Sequence, residues 1–204
     1  IMANPPFNMK KCRAANELTD DSRWDGYETP PVGNANYAWI LHIVSKLSDR
    51  GVAGLVLANG SMSTNTKVEG LIRQKLVEND LVDCMVALPG QLFYTTQIPV
   101  CLWFLTKSKK AESDRGFHSR KGETLFIDAR KIGEMISRKQ KELTHEDIQA
   151  IARTYHSWRY DPGNAGVPPA NAGGTPALPG YTDQAGYCKS ATLAEIRKND
   201  YVLT

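Results

Sequence analysis

Apolar and polar residues alternate along this chain in the pattern of an α/β domain. Short apolar runs closed by turns predict strands, and apolar residues at helical spacing predict helices between them. The predicted strands cover 52–58, 81–88, 98–106 and 124–128. The predicted helices begin near Asn36, Thr66 and Thr144, and the two threonines are each followed three residues later by an acid, as in a capping box. Alternating strands and helices favour a mostly parallel sheet.

The connection between the second and third predicted strands sets their relative direction. Only about ten residues separate 81–88 from 98–106, whereas a parallel crossover needs about a dozen or more. These two strands are therefore predicted to pair antiparallel. The fold class predicted from the pattern is α/β, with a mixed sheet that has a reversed strand at one edge.

Composition divides the chain into three parts. Residues 1–160 carry the strands and helices; they begin with what is predicted to be the end of a buried strand, followed by a long polar loop over 8–35. Residues 161–181 hold a near-repeat, NAGVPPA–NAGGTPA, whose small residues cannot bury a core, so we predict a Pro/Gly/Ala-rich linker or insertion. Residues 182–204 are predicted to be a helical tail, since Thr192 and Glu195 form another capping pattern.

Bulk composition indicates a globular protein. The chain has 204 residues, 41% of them hydrophobic, and a net charge of +3. It contains no apolar run near the roughly 20 residues that span a bilayer and no visible export signal, so a cytoplasmic location is predicted. The four cysteines form no CxxC pair and have no histidine at metal-ligand spacing, which indicates a reducing compartment and no metal site.

Charge is uneven along the chain. Between Lys107 and Lys141 there are eleven Lys or Arg residues against five Asp or Glu. Such a stretch has two interpretations: a solvated loop, or a surface that contacts phosphates, since Lys and Arg supply sequence-independent affinity for nucleic acid. The sequence leaves both open.

The residues with the clearest chemistry follow the first predicted strand, in the motif Asn4-Pro5-Pro6-Phe7. Two prolines fix two φ angles and remove two N–H donors, which gives a rigid, extended corner. The Asn4 side-chain oxygen and the Pro5 carbonyl can then accept the two hydrogens of one –NH2 group, and Phe7 offers a flat face to an extruded base. A rigid turn without chemistry is the alternative. We predict Asn4, Pro5, Pro6 and Phe7 as catalytic residues.

This motif is similar to the signature of enzymes that methylate exocyclic nitrogens. Together with the block LPGQLFYTTQIP at 88–99, which follows one predicted strand and precedes another, it resembles the modification (methyltransferase) subunit of type I restriction-modification systems. The resemblance implies methyl transfer from S-adenosylmethionine to adenine N6 in DNA. It also implies that Asn4 and Pro5 hold the adenine amino group, that Phe7 stacks on the base, and that Phe93 closes the other face.

The resemblance also implies that this chain holds only part of such an enzyme. Family members carry a glycine-rich donor loop before the motif, and no residue pattern in 1–204 replaces it. We therefore expect 1–160 to be the C-terminal half of a Rossmann-like methyltransferase domain that is inactive alone. Strand 52–58 would lie next to missing structure, so its edge is expected to pair with a neighbour, in self-association for instance, or to be covered by 8–35.

The partners implied by the resemblance are DNA, a specificity subunit and a restriction (nuclease-translocase) subunit. Two alternatives stay open. The chain could be a non-catalytic module for DNA binding or subunit assembly that uses the basic stretch. It could also belong to an amino-methyltransferase that acts on protein glutamine or on RNA, although the 88–99 block argues against this.

Overall fold

The computed structural model describes residues 1–64, 66–160 and 180–204, so the predicted linker at 161–181 lies almost wholly outside the described residues. A six-stranded sheet is built from β1 (Met2–Ala3), β2 (Val52–Ala58), β3 (Val82–Ala87), β4 (Val100–Thr106), β5 (Glu123–Asp128) and β8 (Cys188–Thr192). A separate hairpin is formed by β6 (Glu134–Met135) and β7 (Lys141–Glu142). The helices are α1 (Asn36–Lys46), α2 (Lys67–Glu78), α3 (His145–Arg159) and α4 (Leu193–Lys198).

The sheet is mixed, as predicted, with the order β1-β2-β4-β3-β5-β8. Strands β1, β2, β3 and β5 run in one direction, and β4 runs antiparallel to both of its neighbours, β2 and β3. The antiparallel pairing of β3 with β4 is confirmed, but the predicted position of β4 at an edge is wrong. Its apolar side chains place it inside the sheet, where Trp103 and Leu105 are fully buried.

The reversed strand at the edge is β8, in a region predicted to be only a helical tail. It pairs antiparallel with β5 over five residues, and α4 follows it directly. Only Cys188 and Ala191 of this strand are buried, one on each face of the sheet. Its polar sequence, CKSAT, gives little strand signal on its own.

The first strand is short and exposed. Met2 and Ala3 pair parallel with Gly54 and Leu55, so β1 rather than β2 is the outermost strand on this side. The neighbour expected beside strand 52–58 thus comes from the same chain. Met2 is 94% exposed because no strand of the described residues lies on the other side of β1, so the burial of this strand stays a prediction. Self-association through the edge stays a prediction.

Each face of the sheet carries its own hydrophobic core. Helices α1, α2 and α4 cover one face, where Tyr37 of α1 meets Trp103 of β4 edge to face at 6.1 Å between ring centroids. Helix α3 covers the other face, where Tyr155 stacks on Phe104 at 5.1 Å. Among the described residues, no helix has both the length and the apolar character to cross a bilayer.

The predicted helix starts are confirmed, with one difference in capping. At α3, Thr144 and Asp147 form a reciprocal capping box, and Thr192 and Glu195 do the same at α4. At α2, the Thr66 hydroxyl instead donates to the Glu69 carboxylate at 2.6 Å, so the two side chains bond each other rather than the backbone.

In the first half of the basic stretch, three of the six Lys and Arg residues form ion pairs among the described residues (Lys109, Arg115 and Arg120), and the other three are exposed (Lys107, Lys110 and Lys121). The buried Lys109 ammonium donates to Asp80 at 2.7 Å and to the carbonyls of Val82 and Glu123. Burial lowers the pKa of Lys109, against the opposing effect of Asp80. Buried Arg120 pairs with buried Asp83 at 3.3 Å. Lys109 and Arg120 are therefore not available to contact phosphates, and the basic stretch does not form one continuous phosphate-binding surface over 107–141.

Candidate active site

The ends of the parallel strands bring the predicted site residues to one edge of the sheet. The Asn4–Phe7 motif follows β1, Asn59 follows β2, and the loop beginning at Pro89 follows β3. Because these strands run in the same direction, all three segments emerge at their carboxyl ends. Open α/β sheets bind their ligands at this edge.

Within the motif, the atoms predicted to hold an amino group are available. Asn4 and Pro6 are exposed, and Pro5 and Phe7 are half-buried. None of the hydrogen bonds found among the described residues uses the Asn4 side chain or the Pro5 carbonyl. The proline pair therefore presents acceptors that the rest of the described chain leaves unpartnered.

A pair of asparagines anchors the motif to the core. The Asn8 backbone N–H donates to Asn36 Oδ1 at 3.1 Å, and Asn36 Nδ2 donates to Asn8 Oδ1 at 2.9 Å. Asn36 opens α1 and is 2% exposed, whereas Asn8 has a φ of 51°, in the left-handed region that Asn tolerates better than most residues. This pairing fixes the chain immediately after Phe7.

Two asparagines lie at the start of α1, and Asn is a favoured residue at helix N-caps. The Asn36 backbone N–H donates to Asn34 Oδ1 at 3.0 Å, so Asn34 does satisfy one free donor at the start of α1. The Asn36 side chain, in contrast, turns to Asn8. Sequence reasoning missed this contact because the two residues are 28 positions apart and neither has a pattern that pairs them.

The two aromatic rings predicted to sandwich a base touch each other instead. Phe7 and Phe93 meet edge to face, with 5.5 Å between ring centroids and 82° between ring planes. A base held between two rings needs nearly parallel rings about 7 Å apart, twice the usual carbon contact distance. Phe93 would have to move before a base could lie against both rings, so its role stays a prediction.

Phe93 lies on the 90–97 loop, whose two ends are held close together. Gln91 N–H donates to the Gln97 carbonyl at 3.3 Å. A Cβ atom on Gly90 would lie 2.7 Å from the same Gln97 oxygen, so only glycine fits there without displacing the backbone. The Gln91 carbonyl in turn accepts the Lys141 backbone N–H at 2.9 Å, which connects this loop to strand β7.

A cavity of about 370 Å³ lies at the same sheet edge, on the face whose core includes Met62, Met85 and Leu203. Asn59, Ala87 and Asp128, from the ends of β2, β3 and β5, contribute to its lining. Asn59 Oδ1 is buried and has no hydrogen-bond partner among the residues that the structure describes. Asn59 and Gly60 form a short 3-10 turn after β2, as expected of a strand-end turn. Among the described residues, no group of three or more His, Cys, Asp or Glu is arranged to hold a metal ion.

The six-stranded mixed sheet with helices on both faces is the architecture of a type I methyltransferase subunit. The family model described as N-6 DNA Methylase matches residues 1–204. The chain therefore belongs to the N-6 DNA methylase family.

Similar proteins agree with this assignment. The chain is 50% identical over its whole length to the type I restriction enzyme HindI methylase subunit of Haemophilus influenzae, and 38% identical to the MjaIX methylase subunit of Methanocaldococcus jannaschii. It spans 40% and 33% of the lengths of these two proteins. Its fold matches the type I methyltransferase subunit of Streptococcus thermophilus, with a TM-score of 0.77 and 26% identity over all of this chain and 36% of that one.

Proposed function

We propose that this chain is part of a type I methylase subunit that transfers a methyl group from S-adenosylmethionine to the N6 nitrogen of adenine in DNA. The observation that carries the proposal is the unpartnered Asn4–Pro5 corner, at the carboxyl ends of the parallel strands, in a chain of the N-6 DNA methylase family.

The corner acts by holding the target amino group. Asn4 Oδ1 and the Pro5 carbonyl each accept one N–H hydrogen and draw the nitrogen lone pair out of conjugation with the purine ring. Positive charge grows on that nitrogen as it is methylated, and two oriented acceptors stabilise it. The proline ring at position 5 and the one at position 6 keep the backbone from relaxing away, so the geometry is set before the base arrives.

Phe7 supplies the surface on which the extruded base rests. It is half-buried, and the Asn8–Asn36 pairing holds the residue next to it. We propose that the base displaces Phe93 from its edge-to-face contact and that Phe93 then closes the opposite side. The Gln91–Gln97 hydrogen bond closes the base of the 90–97 loop that carries Phe93, and Tyr94 and Thr95 at its tip are exposed.

S-adenosylmethionine supplies the methyl group, but the described residues do not fit it. Gly51 precedes β2, Gly54 lies inside β2, and Gly60 belongs to a single turn, so these glycines do not open a donor loop. We place the donor site in the remainder of the subunit, since this chain spans 40% of the Haemophilus relative. The chain by itself is proposed to be inactive, and to work with DNA, a specificity subunit and a restriction subunit.

Product analysis tests the proposed function. The complete natural protein that carries this chain is incubated with methyl-labelled donor and with duplex DNA, RNA or protein in separate reactions, and each product is digested and separated. Label in N6-methyladenine from DNA is the expected result. Label in a methylated glutamine or a methylated guanine instead would overturn it, and so would DNA binding without methylation of any substrate, which would favour a non-catalytic module.

A further inference from the structure

The β6–β7 hairpin is a well-defined element that projects from the site edge. Gly133, at its base, has a φ of +87°, and a Cβ atom there would lie 2.9 Å from the Glu142 carbonyl. At the turn, the Ile136 N–H donates to the Gln140 carbonyl at 3.0 Å, and the Gln140 N–H donates to the Ser137 hydroxyl at 3.1 Å. The hairpin is therefore shaped by its own hydrogen bonds.

The hairpin is fastened beside the predicted catalytic residues. Its Lys141 N–H donates to the Gln91 carbonyl, at the base of the loop that carries Phe93, and Phe93 contacts Phe7. Ile132 and Leu143, just outside the two ends of the hairpin, pack against the core under α3. A ligand held at Phe7 would thus have the hairpin as a near neighbour.

The exposed surface of the hairpin combines positive charge with apolar side chains. Residues 130–141 hold five Lys or Arg and one Glu. Arg130 is engaged by Asp128 at 2.6 Å, but Lys131, Arg138 and Lys139 are exposed and make no ion pair with the described residues. Between these charges, Met135 and Ile136 are 50% and 54% exposed.

This combination suits a nucleic acid duplex. Exposed Lys and Arg bind phosphates without regard to sequence. Exposed Ile and Met side chains serve in other DNA-binding proteins as wedges that enter between base steps and unstack them. A base taken out of a duplex for chemistry leaves such a step open, and unstacking is part of the cost of extruding it.

We propose that the β6–β7 hairpin binds the DNA duplex next to the target adenine. Arg138 and Lys139 contact backbone phosphates, together with Lys131 at the hairpin base, while Ile136 and Met135 enter the groove beside the extruded base. This inference rests on the proposed function, because it assumes that the substrate at Phe7 is a base in DNA. It assigns the phosphate-contacting part of the basic stretch to its second half.

Two double variants test whether the charges on the hairpin contribute more to DNA binding than other charges of the basic stretch. Arg138→Gln with Lys139→Gln removes two exposed charges from the hairpin, and Lys107→Gln with Lys110→Gln removes two exposed charges at the opposite end of the sheet, where β4 ends. The complete natural protein is titrated with a labelled duplex at several salt concentrations. The hairpin pair should lower the salt slope by about 1 to 2 and the control pair should leave it unchanged, since each lost phosphate contact removes about 0.9.

The apolar residues give a second, independent readout. Met135→Ala with Ile136→Ala should weaken binding by about threefold to tenfold with no change in salt slope, since it removes no charge. The variant should also lower the fluorescence of 2-aminopurine placed at the target position, because fewer bases are extruded. Thermal melting of each variant confirms that it remains folded.

The possible results distinguish failure of the hairpin inference from failure of the proposed function. Equal salt slopes for the hairpin and control pairs, in a protein that binds and methylates DNA, would overturn the hairpin inference alone. Hairpin variants that keep DNA affinity but no longer co-purify with the specificity subunit would also overturn it, and would assign the surface to protein contact. An unsubstituted protein that methylates a substrate other than DNA would overturn the proposed function and this inference with it.

Discussion

Asn8 and Asn36 pair through two reciprocal hydrogen bonds and so connect the segment after Phe7 to the buried start of α1. One bond uses the Asn8 backbone N–H and the other uses its side-chain oxygen, which leaves little freedom for rotation at this residue. The corner that presents Asn4 and Pro5 is therefore made rigid by its two prolines, and the buried Asn36 side chain fixes the residue that follows Phe7.

Asn36→Ala tests the positioning role of this pair. The substitution removes both bonds and should lower the free energy of unfolding by about 1–3 kcal/mol, because each hydrogen bond contributes about 0.5–1.5 kcal/mol. It should also lower kcat of the complete enzyme by about tenfold to a hundredfold, since small misplacements of reacting groups are costly, with little change in KM for the methyl donor. Steady-state kinetics and thermal melting measure the two effects.

The control for this prediction is Ser45→Ala on the same helix, whose exposed hydroxyl bonds, within the described part of the chain, only to the His42 carbonyl. It should leave both kcat and stability close to those of the unsubstituted protein. A loss of kcat in Asn36→Ala no greater than in Ser45→Ala would show that the asparagine pair does not position the motif.

The contact between Phe7 and Phe93 should be measurable in the absence of DNA. Edge-to-face aromatic pairs contribute about 0.5–1.5 kcal/mol beyond the area they bury. A double-mutant cycle of Phe7→Leu and Phe93→Leu, followed by urea unfolding, should give a coupling free energy in that range. Strictly additive effects would mean that the two rings do not contact each other in solution.

Gly90 is predicted to be intolerant of even one methyl group. In Gly90→Ala the new Cβ would lie 2.7 Å from the Gln97 oxygen. The 90–97 loop must then open, which should cost about 1–3 kcal/mol of stability, as overpacking does elsewhere. Gly60→Ala is the matched control, since nothing lies within 4 Å of its Cβ position and its φ is not positive. Thermal melting should show a drop for the first variant that is absent in the second.

The cap of α4 should depend on pH. The Lys189 hydrogen bond and the Thr192 cap lower the pKa of Glu195 from its ordinary 4.5 to about 2. Because the folded pKa is below the unfolded one, the stabilisation is complete above about pH 4.5 and is lost as the pH falls towards 2.

Comparison with Glu195→Gln isolates this effect. The difference in unfolding free energy between the two proteins should be constant at neutral pH and shrink steadily between pH 4.5 and pH 2. A difference that does not change across this range would show that Glu195 is not held as a charged cap.

Much of the fold could be predicted because the buried strands have dense apolar sequences. Strand β2 was predicted with its observed bounds, and the short link after β3 correctly indicated antiparallel pairing with β4. The position of β4 in the sheet order could not be predicted from the sequence, because contacts between distant segments determine which strands pair. Strand β8 was missed because it is half polar and lies at an edge.

In the site too, features set by local sequence could be predicted and features set by distant contacts could not. Local stiffness made the Asn4–Phe7 corner visible in the sequence, since two prolines act on their own neighbours. The contact between Asn36 and Asn8 was missed because the two residues are 28 positions apart in the sequence. The basic stretch was visible as a whole, but only the structure separates buried Lys109 and Arg120 from exposed Arg138 and Lys139.

The amide of Asn4 is the most direct point at which to test the whole account. In the complete natural protein, Asn4→Ala should reduce transfer of methyl groups to adenine N6 in DNA by at least about a hundredfold, as expected when one preorganised electrostatic partner of the reacting group is lost. DNA affinity and donor affinity should stay unchanged, since the corner holds only the target amino group. A variant that methylates DNA at the unsubstituted rate would contradict the account.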